Sequence, residues 1–291
     1  MLRSDLTVRN TRLSLWLQIS IEVMLAASLM PGPVWSQAVP PEKPQIAEPS
    51  AQQNDKQRPE KRQADVKPCS REVTERAFLK NIWCDQKAVW SAPLHSGNHL
   101  GIVLPLGGAT AAMIATDKSV GRELSEHPAG AGFRAGKDIS YAGSAEALIA
   151  ITGAYYGVAR FTRNERMRET ALLSFEALAD TGIVQGMLKV TTQRERPTQT
   201  NGQDRIDDAR GKFWAGGGSF PSGHAMSAWA LAAVFAARYP DKPAVRYGAY
   251  GAAALISASR LTARQHFPSD IVVGAVLGYL IGHYVARVHF R

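Results

Sequence analysis

The chain has 291 residues, 45% of them hydrophobic, with a formal net charge of +9 and two cysteines. That length suits one good-sized domain with a tail, not two full domains. The positive surplus shows neither long basic runs nor interleaved aromatics, which argues against a single-strand nucleic-acid groove and leaves an anionic substrate, an anionic membrane surface or a plain solvated surface.

Arg3, Arg9 and Arg12 precede an apolar stretch from Leu13 to Met30, followed by Pro31, Pro33 and the small-residue site Ser36-Gln37-Ala38. This predicts an export signal over residues 1–37, or an uncleaved anchor, since Gln18 and Glu22 interrupt the apolar run. Residues 38–68 are rich in Pro, Gln, Glu and Lys and read as a disordered linker, too polar to bury a core. Cys69 and Cys84 bracket a predicted helix over Glu72–Ile82. In an exported protein they are candidates for a disulfide, with two buried thiols as the alternative; a straight helix between them would hold them apart.

From there to the C-terminus the sequence reads as nearly all helix. Apolar, Ala-rich segments run over about His99–Ala115, Ala142–Phe161, Arg166–Lys189, Ser222–Arg238, Ala244–Arg260 and Ser269–Val288. The expected fold class is all-α, a bundle of about six core helices forming a domain over residues 69–291. Residues Thr198–Ser219 form a long polar, Gly-rich loop, a candidate lid or a plain surface loop.

Three stretches of this region stand out: KVTTQRERP (Lys189–Pro197), FPSGH (Phe220–His224) and SRLTARQHFPSD (Ser259–Asp270). Their pattern is Lys, six residues, Arg-Pro; then Pro-Ser-Gly-His; then Ser-Arg, five residues, His, three residues, Asp. It resembles the signature of the type 2 phosphatidic acid phosphatase and vanadium haloperoxidase superfamily, and the signature is filled without a substitution. The resemblance implies that His266 is a nucleophile that becomes phosphohistidine, that Asp270 orients it, and that His224 is the general acid. It also implies that Lys189, Arg196, Ser222, Gly223 and Arg260 form a phosphate-binding shell.

The same residues fit that chemistry on their own terms. A phosphoryl group in transfer spreads negative charge over three oxygens, which Lys189, Arg196 and Arg260 can meet without changing protonation. Ser222 and Gly223 follow Pro221 where a helix should start, and a helix N-terminus offers free N–H groups to an anion. An imidazole nucleophile needs the correct tautomer, which a carboxylate bonded to its other nitrogen fixes, and Asp270 is well spaced to be that carboxylate for His266. No metal is required, and the sequence holds no carboxylates clustered at metal-ligand spacing. His95, His99, His127, His283 and His289 fit no motif and read as surface or packing residues.

The expected function is metal-independent phosphomonoester hydrolysis, of a lipid phosphate or in the manner of an acid phosphatase. The expected partner is a phosphorylated small molecule or lipid, with no nucleic acid. The alternatives are a vanadate-dependent haloperoxidase, in which vanadate would be the cofactor, and a non-catalytic envelope protein. Charges at Glu146, Glu176, Asp180 and Arg246 interrupt the apolar segments, which favours an exported, mainly soluble domain in the periplasm or cell envelope. The competing reading is an integral membrane protein with its site facing outward, the basic turn Arg163–Arg168 lying inside.

Overall fold

A computed structural model describes residues 72–92, 100–126, 131–197 and 211–289. The expected signal or anchor and linker, Cys69, and most of the Thr198–Ser219 loop lie outside the described residues, so the proposed division of the chain and the lid are expectations only. The described residues form eight helices and no strand: α1 Phe78–Ser91, α2 Leu100–Glu126, α3 Ala131–Ala142, α4 Ala145–Phe161, α5 Glu165–Thr192, α6 Gly223–Arg238, α7 Pro243–Thr262 and α8 Pro268–His289. The all-α expectation is met.

Local chemistry sets several boundaries. Asn164 caps α5, its side chain accepting from the Met167 N–H at 3.0 Å, and Ser144 caps α4 through the Ala147 N–H. Pro243 and Pro268 open α7 and α8, where the missing N–H costs nothing. Three predictions needed revision. α1 begins and ends later than Glu72–Ile82, and α2 continues eleven residues beyond Ala115. α3 went unpredicted because glycine masks a helix that packing holds in place: Gly136 within it and Gly143 just past its end lie so close to Thr262 and Ile256 of α7 that a side chain would collide.

The core centres on α6, which is apolar nearly all round and buried along most of its length. One cluster joins Leu173, Ala177 and Val184 of α5 to Met226, Ala230 and Val234 of α6 and to Ile281 and Val285 of α8. A second joins Ala225, Ala228, Trp229 and Ala232 of α6 to Ala253 of α7 and to Ile271 and Ala275 of α8. The α6–α8 contact is unusually close. A Cβ at Gly274 would sit 2.5 Å from the Ser222 carbonyl oxygen, and at Gly278 and Gly282 it would run into the carbonyls of Met226 and Ala230. This contact brings the FPSGH turn beside the start of α8. Gly278→Ala, which must push two helix backbones apart, is expected to cost about 1–3 kcal/mol of stability. Urea denaturation checks this, with no loss expected had the helices room to spare.

Candidate active site

The three motifs lie at one end of the bundle, at the C-terminal ends of α5 and α7 and the N-terminal ends of α6 and α8. α5 stops at Gln193, which takes a left-handed conformation (φ 43°) and turns the chain inward. Arg194 therefore enters the interior, where it is 1% exposed. Its Nη1 donates to Asp270 Oδ1 at 2.5 Å and to Ser269 Oγ at 2.7 Å. Nη2 donates to Asp117 Oδ2 at 2.6 Å, and Nε to the Gly211 carbonyl at 3.2 Å. The guanidinium also lies over the rings of Phe213 and Phe267, at 4.9 and 4.7 Å.

His266, on the turn between α7 and α8, is 2% exposed. Its Nδ1 lies 2.7 Å from the Ser219 carbonyl oxygen. A carbonyl can only accept, so Nδ1 carries the proton and Nε2 keeps its lone pair. Asp270 stands second to Ser219 in orienting the ring. Its Oδ2 is 3.7 Å from Nδ1, beyond hydrogen-bond reach. Instead it accepts from Ser219 Oγ at 2.5 Å and from the Phe267 N–H at 2.9 Å. Asp270 thus pins the groups on both sides of His266 while holding a negative charge beside it. The spacing of the two residues showed that they would be neighbours but not that a backbone carbonyl would come between.

Ser222 caps α6, and its N–H donates to the Asp270 carbonyl at 2.9 Å. Its Oγ is buried without a hydrogen-bond partner among the described residues. Pro221 accordingly precedes the cap instead of filling the first helical turn. Gly223 opens α6 against the end of the Gln185 side chain of α5, which a Cβ there would displace. Arg260 is held by a hydrogen bond from Nη1 to Ser140 Oγ of α3, while its Nε is buried without a partner among the described residues. Arg196 Nη1 donates to Gln265 Oε1 at 2.9 Å.

Electrostatics tie these groups into one constellation. Burial pushes Lys189 below the usual lysine range, and the charges of Arg196 and Arg260 push it further. Burial, with the field of Arg196 added, takes Arg260 down to about 10. His224 is lowered to about 4, by burial first and then by Arg260, His266, Lys189 and Arg196. Burial also lowers His266, against the opposing pull of Asp270. Burial alone would raise Asp270, but His266, Arg194 and Ser219 outweigh it and hold the carboxyl below its ordinary range. Lys189, Arg196, His224, Arg260, His266 and Asp270 therefore form one cationic cluster, with Ser222 tied to it through the Asp270 carbonyl.

Arg194, Asp117, Ser219, Ser140 and Gln185 are additions that sequence reasoning missed. Arg194 lies inside the first motif stretch, but nothing local says that it turns inward. Asp117 and Ser140 come from helices far from the motifs in sequence, and only packing brings them in.

The sequence profile of the PAP2 superfamily matches residues 170–291, which include all three motifs. This C-terminal region, about two fifths of the chain, is similar to the PAP2 superfamily. It is 32% identical over 77 residues to a lipid A 1-phosphatase of Porphyromonas gingivalis, a match covering 25% of this chain and 17% of the relative. The chain thus matches only about a sixth of that relative's length. Among solved structures it is similar to a transmembrane PAP2 type phosphatidylglycerolphosphate phosphatase from Bacillus subtilis, with a TM-score of 0.46 and 21% identity, over 62% of this chain and 92% of the other. One described helix, α8, is long and apolar enough to cross a membrane by length and composition.

The depressed histidines make stability depend on pH. His224 binds a proton near pH 6.5 in the unfolded chain and only near 4 when folded. Between those values the unfolded state holds more protons, so stability falls as pH falls, and His266 adds in the same direction. The melting temperature is expected to drop from pH 6.5 to pH 4, less steeply in His224→Gln. Equal slopes in the two proteins would show that burial and the cations do not depress His224.

Proposed function

We propose that this protein hydrolyses phosphate monoesters carried on a lipid, through a phosphohistidine at His266 and without a metal at the reacting phosphorus. The observation that supports this reading best is the His266 ring, its Nδ1–H engaged by a carbonyl, in a pocket that also holds Lys189, Arg196 and Arg260. In the first step Nε2 attacks phosphorus, the P–O bond to the lipid alcohol breaks, and His224 gives its proton to the departing oxygen. In the second, water attacks phosphorus, His224 takes the water's proton, the P–N bond breaks, and inorganic phosphate leaves with His266 restored. The three cations stabilise the equatorial oxygens in both steps.

His224 would be neutral near pH 7 without substrate, because burial and the same cations depress it. A bound phosphate dianion offsets that field, so substrate binding itself restores the proton that the leaving group needs.

A lipid substrate is supported by the apolar surroundings. A cavity of about 330 Å³ between α4, α6 and α7, lined by Leu148, Ile151, Tyr155, Leu231, Phe235 and Ile256, begins at Ala228, about one turn along α6 from His224. Ile151, Phe161 and Leu255 on the same helices are exposed, as expected of a surface that rests on a membrane. The named activity of the lipid A 1-phosphatase relative points the same way. The test is phosphate release at 25 °C in EDTA from p-nitrophenyl phosphate, phosphatidic acid, phosphatidylglycerophosphate, lipid A 1-phosphate and glucose 6-phosphate. Release from the lipids at 10-fold or more the kcat/KM of the sugar phosphate is expected. A folded protein inactive on all five would remove the proposal, and equal rates on all would remove its lipid part.

A further inference from the structure

Helix α1 is inverted. Its buried residues are Asn81, Asp85 and Gln86, all polar, while Leu79 and Trp83 are 77% and 65% exposed. The polar face packs against Glu176 and Asp180, one turn apart on α5, and against His289 at the end of α8; Asn81, Asp85, Glu176, Asp180 and His289 are at most 2% exposed. His289 Nε2 lies 3.0 and 2.9 Å from the two oxygens of Asp85. Asn81 Nδ2 donates to Glu176 Oε1 at 2.9 Å, and Gln86 Nε2 to Asp180 Oδ1 at 2.8 Å. The charged groups felt by Asp180 are Asp85, Glu176 and His289, which places it against the same cluster.

Three oxygens in this group have no hydrogen-bond partner among the described residues: Asn81 Oδ1, Glu176 Oε2 and Asp180 Oδ2. A buried oxygen without a donor is costly, and three such oxygens among three carboxylates and an imidazole ask for a positive centre. One donor atom from each of Asp85, Glu176 and His289 lies within 4.8 Å of the others. A cation held by bonds of about 2.1 Å needs ligand separations of about 3.0 Å across an octahedral edge and about 4.2 Å across its diagonal. The Asp85–His289 separations already suit an edge; the widest spacing must close by well under about 1 Å for an octahedral ion, and by up to about 1.4 Å for a tetrahedral one, whose edges are about 3.4 Å. Mixed imidazole and carboxylate donors suit zinc or manganese better than calcium or magnesium.

We propose that Asp85, Glu176 and His289, with Asp180 beside them, form a structural binding site for a divalent transition metal that ties α1 to α5 and α8. The site is separate from the chemistry: Asp270 and His289 are nineteen residues apart on α8, roughly 28 Å along its axis. No sequence pattern marks this site because its ligands come from three helices, Glu176 lying 91 positions after Asp85 and His289 113 positions after Glu176.

To test this, the full chain is stripped with EDTA, desalted, offered ZnCl2, MnCl2, MgCl2 or CaCl2, desalted again, and analysed for metal content and melting temperature. One equivalent of zinc or manganese per chain is expected to remain after desalting, and, in a parallel sample kept at free metal 100-fold above Kd, to raise the melting temperature by roughly 5–10 °C. Glu176→Gln and His289→Gln should each lose the metal and the shift, while Glu176→Gln keeps p-nitrophenyl phosphate turnover at 25 °C, if wild type has it, within about twofold. Wild type that retains no zinc or manganese and melts unchanged overturns the proposal, as does a response to magnesium or calcium alone. Retention of metal by the folded Glu176→Gln/His289→Gln double variant also overturns it. If the variants do not fold, the wild-type metal content and melting shift decide.

Discussion

His266→Gln is expected to fold as wild type and to release phosphate at least about 10³-fold more slowly from any ester that wild type hydrolyses. Glutamine can still meet the Ser219 carbonyl that now takes the Nδ1 proton, so the pocket should keep its shape while losing the attacking lone pair. The more discriminating comparison is with His224→Gln on p-nitrophenyl phosphate. That leaving group departs without much help from an acid, whereas release of phosphate from the enzyme still needs a base. His224→Gln should therefore show a burst of p-nitrophenol and accumulate an acid-labile phosphorylated protein, and His266→Gln should show neither. Near-wild-type turnover in His266→Gln, or a phosphorylated protein in its absence, would place the nucleophile elsewhere.

Arg194→Ala is expected to be the most destabilising single change near the site, at about 3–5 kcal/mol. The guanidinium meets two carboxylates at once, Asp117 at 2.6 Å and Asp270 at 2.5 Å, and both are essentially inaccessible to water. Removing it leaves two buried negative charges without their cation. Arg194→Lys keeps the charge but cannot reach both acids with a fork, so an intermediate loss is expected. Because Asp270 fixes Ser219 and the Phe267 N–H around His266, the lysine variant should also lose kcat with little change in KM. Urea denaturation and steady-state kinetics on the same samples check both statements. A loss below about 1 kcal/mol in Arg194→Ala would mean that the two acids are not held as charged groups.

The site shows how far a motif carries. Lys189, Arg196, Ser222, Gly223, His224, Arg260, His266 and Asp270 were legible because each belongs to a short pattern of fixed spacing, and the helices that bear them follow from apolar periodicity. Five of the six predicted core helices match the observed ones to within about three residues at each end. α2 alone runs well past its predicted end. α3 was not legible, since its glycines argue against a helix until α7 is there to pack on. Arg194 was in plain view but read as one more basic residue. Only the left-handed turn at Gln193 sends it toward Asp117 rather than into solvent.

His289 shows the same limit from the other side. It fits no motif and reads as a packing residue, yet it lies fully buried against Asp85 with Glu176 close by. Cys84 is disulfide-bonded, and the chain's other cysteine, Cys69, lies outside the described residues.

Alone, the sequence determined the all-helical class and the inventory of cations and imidazoles, because periodicity and spacing are local properties of the chain. The tertiary structure decided which partner holds each of those groups. Ser219 rather than Asp270 meets the His266 Nδ1, Arg194 bridges two buried acids, and α1 turns its polar face inward. Such partners come from segments tens to hundreds of residues apart, and their choice depends on how closely α6 and α8 approach and where burial removes water. No window of sequence contains that information.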